Sequence, residues 1–139
     1  MKAPVALLAA GLLAGCQTPH QFATPDQAWQ THIGQLKYSD AKRTVIGDVV
    51  VQQRGEQEFQ LEFQKAGGIP LLTLREDATT ARAEGLFARG SWQGAPSAAP
   101  KHLRNWVALR EAFQTPAYDA TRRVHFSADG TRFDFQFNR

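Results

Sequence analysis

The sequence predicts an α+β fold, a curved antiparallel β-sheet whose concave face is lined by Phe and Leu and covered by one or two helices. Three observations predict it. Apolar residues alternate with polar ones in several short stretches, as at Phe59, Leu61 and Phe63. Two other segments space their apolar residues as a helix would, one of them opening on Thr24-Pro25-Asp26-Gln27. Asp129-Gly130 stands between two aromatic-rich runs, a strong short hairpin signal.

The chain has 139 residues, 42% hydrophobic, with one cysteine and a mean hydropathy of -0.40. These values describe one modest domain. The lone Cys16 excludes an internal disulfide framework and a cysteine-based zinc cluster.

The first segment stands apart from the rest. Lys2 supplies a positive start, Pro4 to Leu13 an apolar run too short to span a bilayer as a mature helix, and Ala14-Gly15-Cys16 a small-residue cleavage region. Residues 1–15 are therefore expected to be an export signal, 16–24 a tether and 25–139 the domain. Removing the first 15 of 139 residues leaves 124, with 15 basic against 13 acidic side chains. So balanced a charge is weak support for an acidic partner. Arg104, Arg110 and Arg122-Arg123 are candidates to face anionic headgroups, with scattered solvated charge as the other account.

Within the domain, Thr24 reads as a helix cap and Pro25 as the first helical position, with Ala28, Trp29, His32, Ile33 and Leu36 on one apolar face. From Thr44 the period becomes two. The run ending Val49-Val50-Val51, the turn Arg54-Gly55-Glu56 and the alternation through Phe63 form a hairpin. Ala66-Gly67-Gly68 breaks the pattern, Leu71 to Leu74 resumes it, and Asp77-Ala78-Thr79 turns the chain into a strand expected from Ala81 to Trp92. After a loop at 94–100, Leu103, Trp106, Val107, Arg110 and Phe113 fall on one side of a helix that stops before Pro116. The closing hairpin pairs 124–126 with 133–137.

No constellation of residues points to catalysis. The histidines at 20, 32, 102 and 125 lack a His-Glu-x-x-His spacing, Gly90-Ser91-Trp92 has its serine one place early for a nucleophile elbow, and Gly67-Gly68 lacks the lysine of a phosphate loop. The expectation is a protein without enzymatic activity, cofactor or metal.

Leu13-Ala14-Gly15-Cys16 resembles the lipobox of bacterial lipoproteins, whose cysteine is acylated. The resemblance implies lipidation at Cys16, a membrane anchor and, with Gln17 next, residence in the outer membrane facing the periplasm. Two acyl chains suffice for stable anchoring. Trp29-Gln30-Thr31-His32 with Leu36, the strand carrying Gly47, the turn at Gly55 and Phe59-Gln60-Leu61-Glu62-Phe63 resemble the start of LolB, the outer-membrane lipoprotein receptor. Leu103-Arg104-Asn105-Trp106 and Ser127 to Phe133 resemble later parts of that family.

This resemblance to the LolB/LolA-like receptor and carrier superfamily, in shortened form, implies an open half-barrel plugged by helices. Its apolar cavity would accept acyl chains of lipoproteins delivered by a carrier. The cavity residues expected here are Phe59, Leu61, Phe63, Leu72, Leu74, Trp106, Phe133 and Phe135, which serve equally well as an ordinary core. The family's membrane-directed loop corresponds to Lys65–Pro70, with Gly67 at the matching position and Ile69 or Leu71 as substitutes. The expected partners are the membrane, lipoprotein acyl chains and a carrier protein, not nucleic acid, with the chain itself a monomer. The alternative is a non-catalytic structural or assembly lipoprotein of the envelope.

Overall fold

The structure, a computed structural model, describes residues 19–114 and 122–138. The signal segment, Cys16, Gln17 and Pro116 lie outside the described residues.

Eight strands form one antiparallel sheet: β1 (Gln30–Ser39), β2 (Thr44–Arg54), β3 (Glu58–Lys65), β4 (Ile69–Glu76), β5 (Ala81–Gly85), β6 (Gly90–Gly94), β7 (Arg123–Ala128) and β8 (Thr131–Phe137). Two short helices, α1 (Lys101–Val107) and α2 (Leu109–Ala112), lie between β6 and β7. The strand order is β6-β5-β4-β3-β2-β1-β8-β7, so the sheet is open, with β6 and β7 at its edges. It meanders from β1 to β6, and the closing hairpin then returns to the free side of β1.

The segment expected to be the first helix is β1. Asp26 does not start a helix but closes a single turn, its carboxylate accepting the Ala28 N–H at 2.8 Å and its carbonyl the Trp29 N–H at 3.1 Å. From Gln30 the chain is extended and pairs with β2 on one side and β8 on the other. Gly34, Leu36 and Tyr38 are buried, whereas Ile33, Gln35 and Lys37 face outward. Gly34 explains the misleading pattern, because an inward residue without a side chain removes one beat from the alternation. A Cβ there would lie 2.0 Å from the Gln136 carbonyl oxygen, so glycine permits the close approach of β8.

The single strand expected from Ala81 to Trp92 is two strands, β5 and β6, joined by a 3₁₀ turn over Leu86–Ala88. Gly85 and Gly90 flank this reversal with φ of 116° and 111°. Two smaller differences are that β4 begins at Ile69, with Pro70 opposite Gln64, and not at Leu71, and that the one helix expected through Phe113 is broken at Ala108; the remaining elements agree with the sequence reading. The β2–β3 hairpin turns at Gly55, the helices end at Ala112, and Asp129 and Gly130 both take positive φ (50° and 76°), as a tight two-residue hairpin turn requires.

The core lies between one face of the sheet and α1–α2. Leu103, Trp106, Val107, Leu109 and Phe113 meet Phe59, Leu61, Phe63, Leu72, Leu74 and the inward phenylalanines of β8. Trp106 is its centre, stacked on Tyr38 (centroids 5.0 Å apart) and edge-on to Phe133 (4.8 Å). Phe113 meets Phe135 edge-on at 5.0 Å. Such pairs add about 0.5–1.5 kcal/mol each beyond the area they bury.

Candidate functional site

Antiparallel pairing places the turns β1–β2, β3–β4, β5–β6 and β7–β8 at one end of the sheet. α1 is tied to the same end by a hydrogen bond from Asn105 Nδ2 to the Ala128 carbonyl (3.3 Å). A cleft of about 760 Å³ opens there. Tyr38, Phe87 and Trp106 form its floor, Asp40 to Arg43 one wall, Arg89 another, Lys101, His102 and Asn105 a third, and Asp129 to Thr131 the last.

The floor is continuous with the core, since the Phe87 ring stacks on both Trp106 (5.8 Å) and Phe63 (6.0 Å). Above it the Arg43 guanidinium sits 4.1 Å from the Phe87 centroid, a cation–π contact. Asp40 organises its own turn, accepting the backbone N–H of Lys42 (2.8 Å) and of Arg43 (2.9 Å) and the Tyr38 hydroxyl (2.9 Å). Burial opposes the charge on Asp40, but these hydrogen bonds together hold its carboxyl below the usual carboxylate range. Burial, with Asp40 as hydrogen-bond acceptor and neighbouring charge, pushes the Tyr38 hydroxyl up to about 12. Tyr38 is therefore a fixed neutral donor at physiological pH. His102 Nε2 is buried without a hydrogen-bond partner among the described residues.

All eight residues expected to line a ligand cavity come together in the buried core, none more than 2% exposed. Of these only Trp106 also borders the cleft. In the β3–β4 turn, Gly67 and Gly68 adopt positive φ, Ile69 is 57% exposed, and Leu71 is buried in the core. Of the two proposed substitutes for a membrane-directed leucine, only Ile69 presents its side chain to solvent. The arginines singled out for anionic headgroups do not line the cleft. Arg110 is bonded to Glu76 (3.2 Å) and to the Glu56 carbonyl (3.2 Å) at the opposite end of the sheet, and Arg104 and Arg122 are exposed away from it. The cations that do line it are Lys42, Arg43, Arg89 and Lys101. Their signal was faint: a Lys-Arg pair in a turn and an arginine preceding Gly90, on segments that only the topology unites.

The segment before β1 is tied to that opposite end. His20 Nε2 lies 2.6 Å from the Asp77 carboxylate, and the Ala23 carbonyl accepts from Gln60 Nε2 at 3.4 Å. His125 pairs with Asp134 on the exposed face of the closing hairpin. Among the described residues no group of three His, Cys, Asp or Glu side chains is placed to hold a metal, and no helix is long and apolar enough to cross a membrane. No protein-family model matches the chain, and no curated protein matches it.

Proposed function

We propose that the chain is a lipoprotein of the bacterial envelope, anchored through Cys16 to the outer membrane and facing the periplasm, that binds an acyl chain or another amphiphile. In this reading the open sheet is a half-barrel of the LolB kind, shortened, and the protein serves lipoprotein localisation without catalysing a reaction. The observation that carries the reading is the cleft at the sheet's turn-bearing end, whose floor of Tyr38, Phe87 and Trp106 is the outer edge of the apolar core, each ring no more than 6% exposed. Apolar ligand surface laid on such a floor gains about 25 cal/mol per Å² removed from water.

Polar contacts tie the helices to the sheet at both of its ends. Asn105 of α1 is bonded to the sheet at the cleft end, whereas Arg110 of α2 and Gln114 just beyond it are bonded to Glu76 and Glu56 at the other end.

The test has two arms. Cys16→Ser should abolish incorporation of labelled palmitate and release the protein from the membrane fraction. The purified chain should bind a fluorescent fatty acid saturably, at low-micromolar concentration or below. Failure of saturable binding with membrane attachment intact overturns the amphiphile reading and favours a structural or assembly lipoprotein. The dense aromatic packing of the interior and the unpaired outer side of β6 support that second reading.

A further inference from the structure

Binding an amphiphile requires only an apolar floor, yet the cleft walls carry four cationic side chains, Lys42, Arg43, Arg89 and Lys101, against two carboxylates, Asp40 and Asp129. Asp40 is already occupied by three hydrogen bonds from its own turn and from Tyr38. Lys42, Arg89 and Lys101 form no ion pair among the described residues. Arg43 stands 3.9 Å from Asp40 with its guanidinium spread over Phe87, which leaves the edge of that planar group available. Positive charge thus collects over an aromatic floor in a partly enclosed space, where water screens it less than on an open surface.

Arg89 adds an independent observation. Its φ is 55°, the left-handed region that side chains bearing a Cβ avoid. It ends the Leu86–Ala88 turn, donating its N–H to the Leu86 carbonyl at 3.1 Å, a place where glycine is the usual occupant. Asp129 is the other described non-glycine residue with positive φ, and the Asp-Gly hairpin turn accounts for it. Nothing in the backbone accounts for arginine at 89. A side chain kept in a costly conformation on the wall of a cleft points to a role for that side chain in the cleft.

We infer that the cleft takes the oxyanion head of its ligand. The ligand is an amphiphile whose tail lies on Tyr38, Phe87 and Trp106 and whose phosphate or carboxylate meets Arg43, Arg89 and the two lysines. Guanidinium groups suit such a head because their parallel N–H donors match two oxygens at once. The inference rests on the amphiphile reading above and specifies which amphiphiles that site selects.

The experiment titrates the full chain, below micelle-forming concentrations, with octyl phosphate, octyl glucoside and inorganic phosphate, following tryptophan fluorescence and heat. Octyl phosphate is expected to bind saturably and about tenfold more tightly than octyl glucoside, with the difference shrinking as salt is raised to about 0.5 M. Arg89→Gly is expected to remove most of that preference while the thermal midpoint holds or rises, because glycine takes the left-handed backbone freely. A merely structural Arg89 would instead weaken both amphiphiles alike or lower the midpoint, and that result overturns the inference. Equal binding of the two octyl compounds also overturns it while leaving the amphiphile reading in place. Inorganic phosphate binding as tightly as octyl phosphate makes the cleft a bare anion site and overturns it as well. If neither octyl compound binds, the amphiphile reading falls and takes this inference with it.

Discussion

Glu76 closes β4 with its carboxylate only 2% exposed, one oxygen bonded to Arg110 and the other without a hydrogen bond among the described residues. Burial pushes its pKa from the ordinary 4.5 up to about 7 against the pull of Arg110, with Glu111 and Asp77 adding repulsion. The folded protein therefore holds a proton that the unfolded chain has released between those two values. The resulting stabilisation is complete below about pH 4.5 and is lost as pH rises through about 7, on the order of 3 kcal/mol in all. The thermal midpoint should fall between about pH 5 and pH 8 and then level off, and Glu76→Gln should flatten that slope; an unchanged slope in the variant refutes the assignment. Arg110→Ala strands a buried charge above the Glu76 pKa, and chemical denaturation should record a loss of about 3 kcal/mol at pH 8 and clearly less at pH 5. Neither residue could be paired from the sequence, since 34 positions separate them and each alone reads as surface charge. The apolar residues were readable because each strand face repeats its own signal locally.

At the scale of the element, β1 shows where reading by period breaks down. Trp29, His32, Ile33 and Leu36 satisfy a helical spacing, but Ile33 is 54% exposed and Gly34, one residue on, is buried. The strand is specified by its two neighbours, a non-local influence that outweighs local spacing. Gly34→Ala should destabilise the fold by about 2 kcal/mol or more, because the new methyl meets backbone and not a yielding side chain. A urea midpoint equal to that of the unsubstituted protein would show that β8 can move aside. The Asp129-Gly130 hairpin was legible for the opposite reason, its conformation being written in the two residues that adopt it. The helices were legible too, although their break at Ala108 leaves no mark in composition. The basic cleft was not, because its walls come from 40–43, 87–89, 101–106 and 129–131, four stretches that are neighbours only once the strand order is known.

Across the whole molecule the two ends of the sheet differ in kind. One carries the cleft, Ile69 and Leu86, both exposed apolar side chains, and the other receives the segment leading back toward Cys16. Four residues from Cys16 to His20 reach at most about 14 Å. The eight residues of β4 separate the Asp77 turn from the Ile69 turn by about 25 Å. With Cys16 acylated as proposed, a fluorophore at Ala78 should be quenched by a headgroup-bound quencher in liposomes more strongly than one at Gly68. The reverse order would mean that the His20–Asp77 contact opens on the membrane.

On the amphiphile reading proposed above, that contact also sets the side from which a ligand reaches the cleft. An anchor docked at the Asp77 end turns the mouth of the protein away from its own bilayer, so a ligand would not slide in sideways from the surrounding lipid. It would arrive from the aqueous side, and loading would remain indifferent to how densely the protein is packed in its membrane.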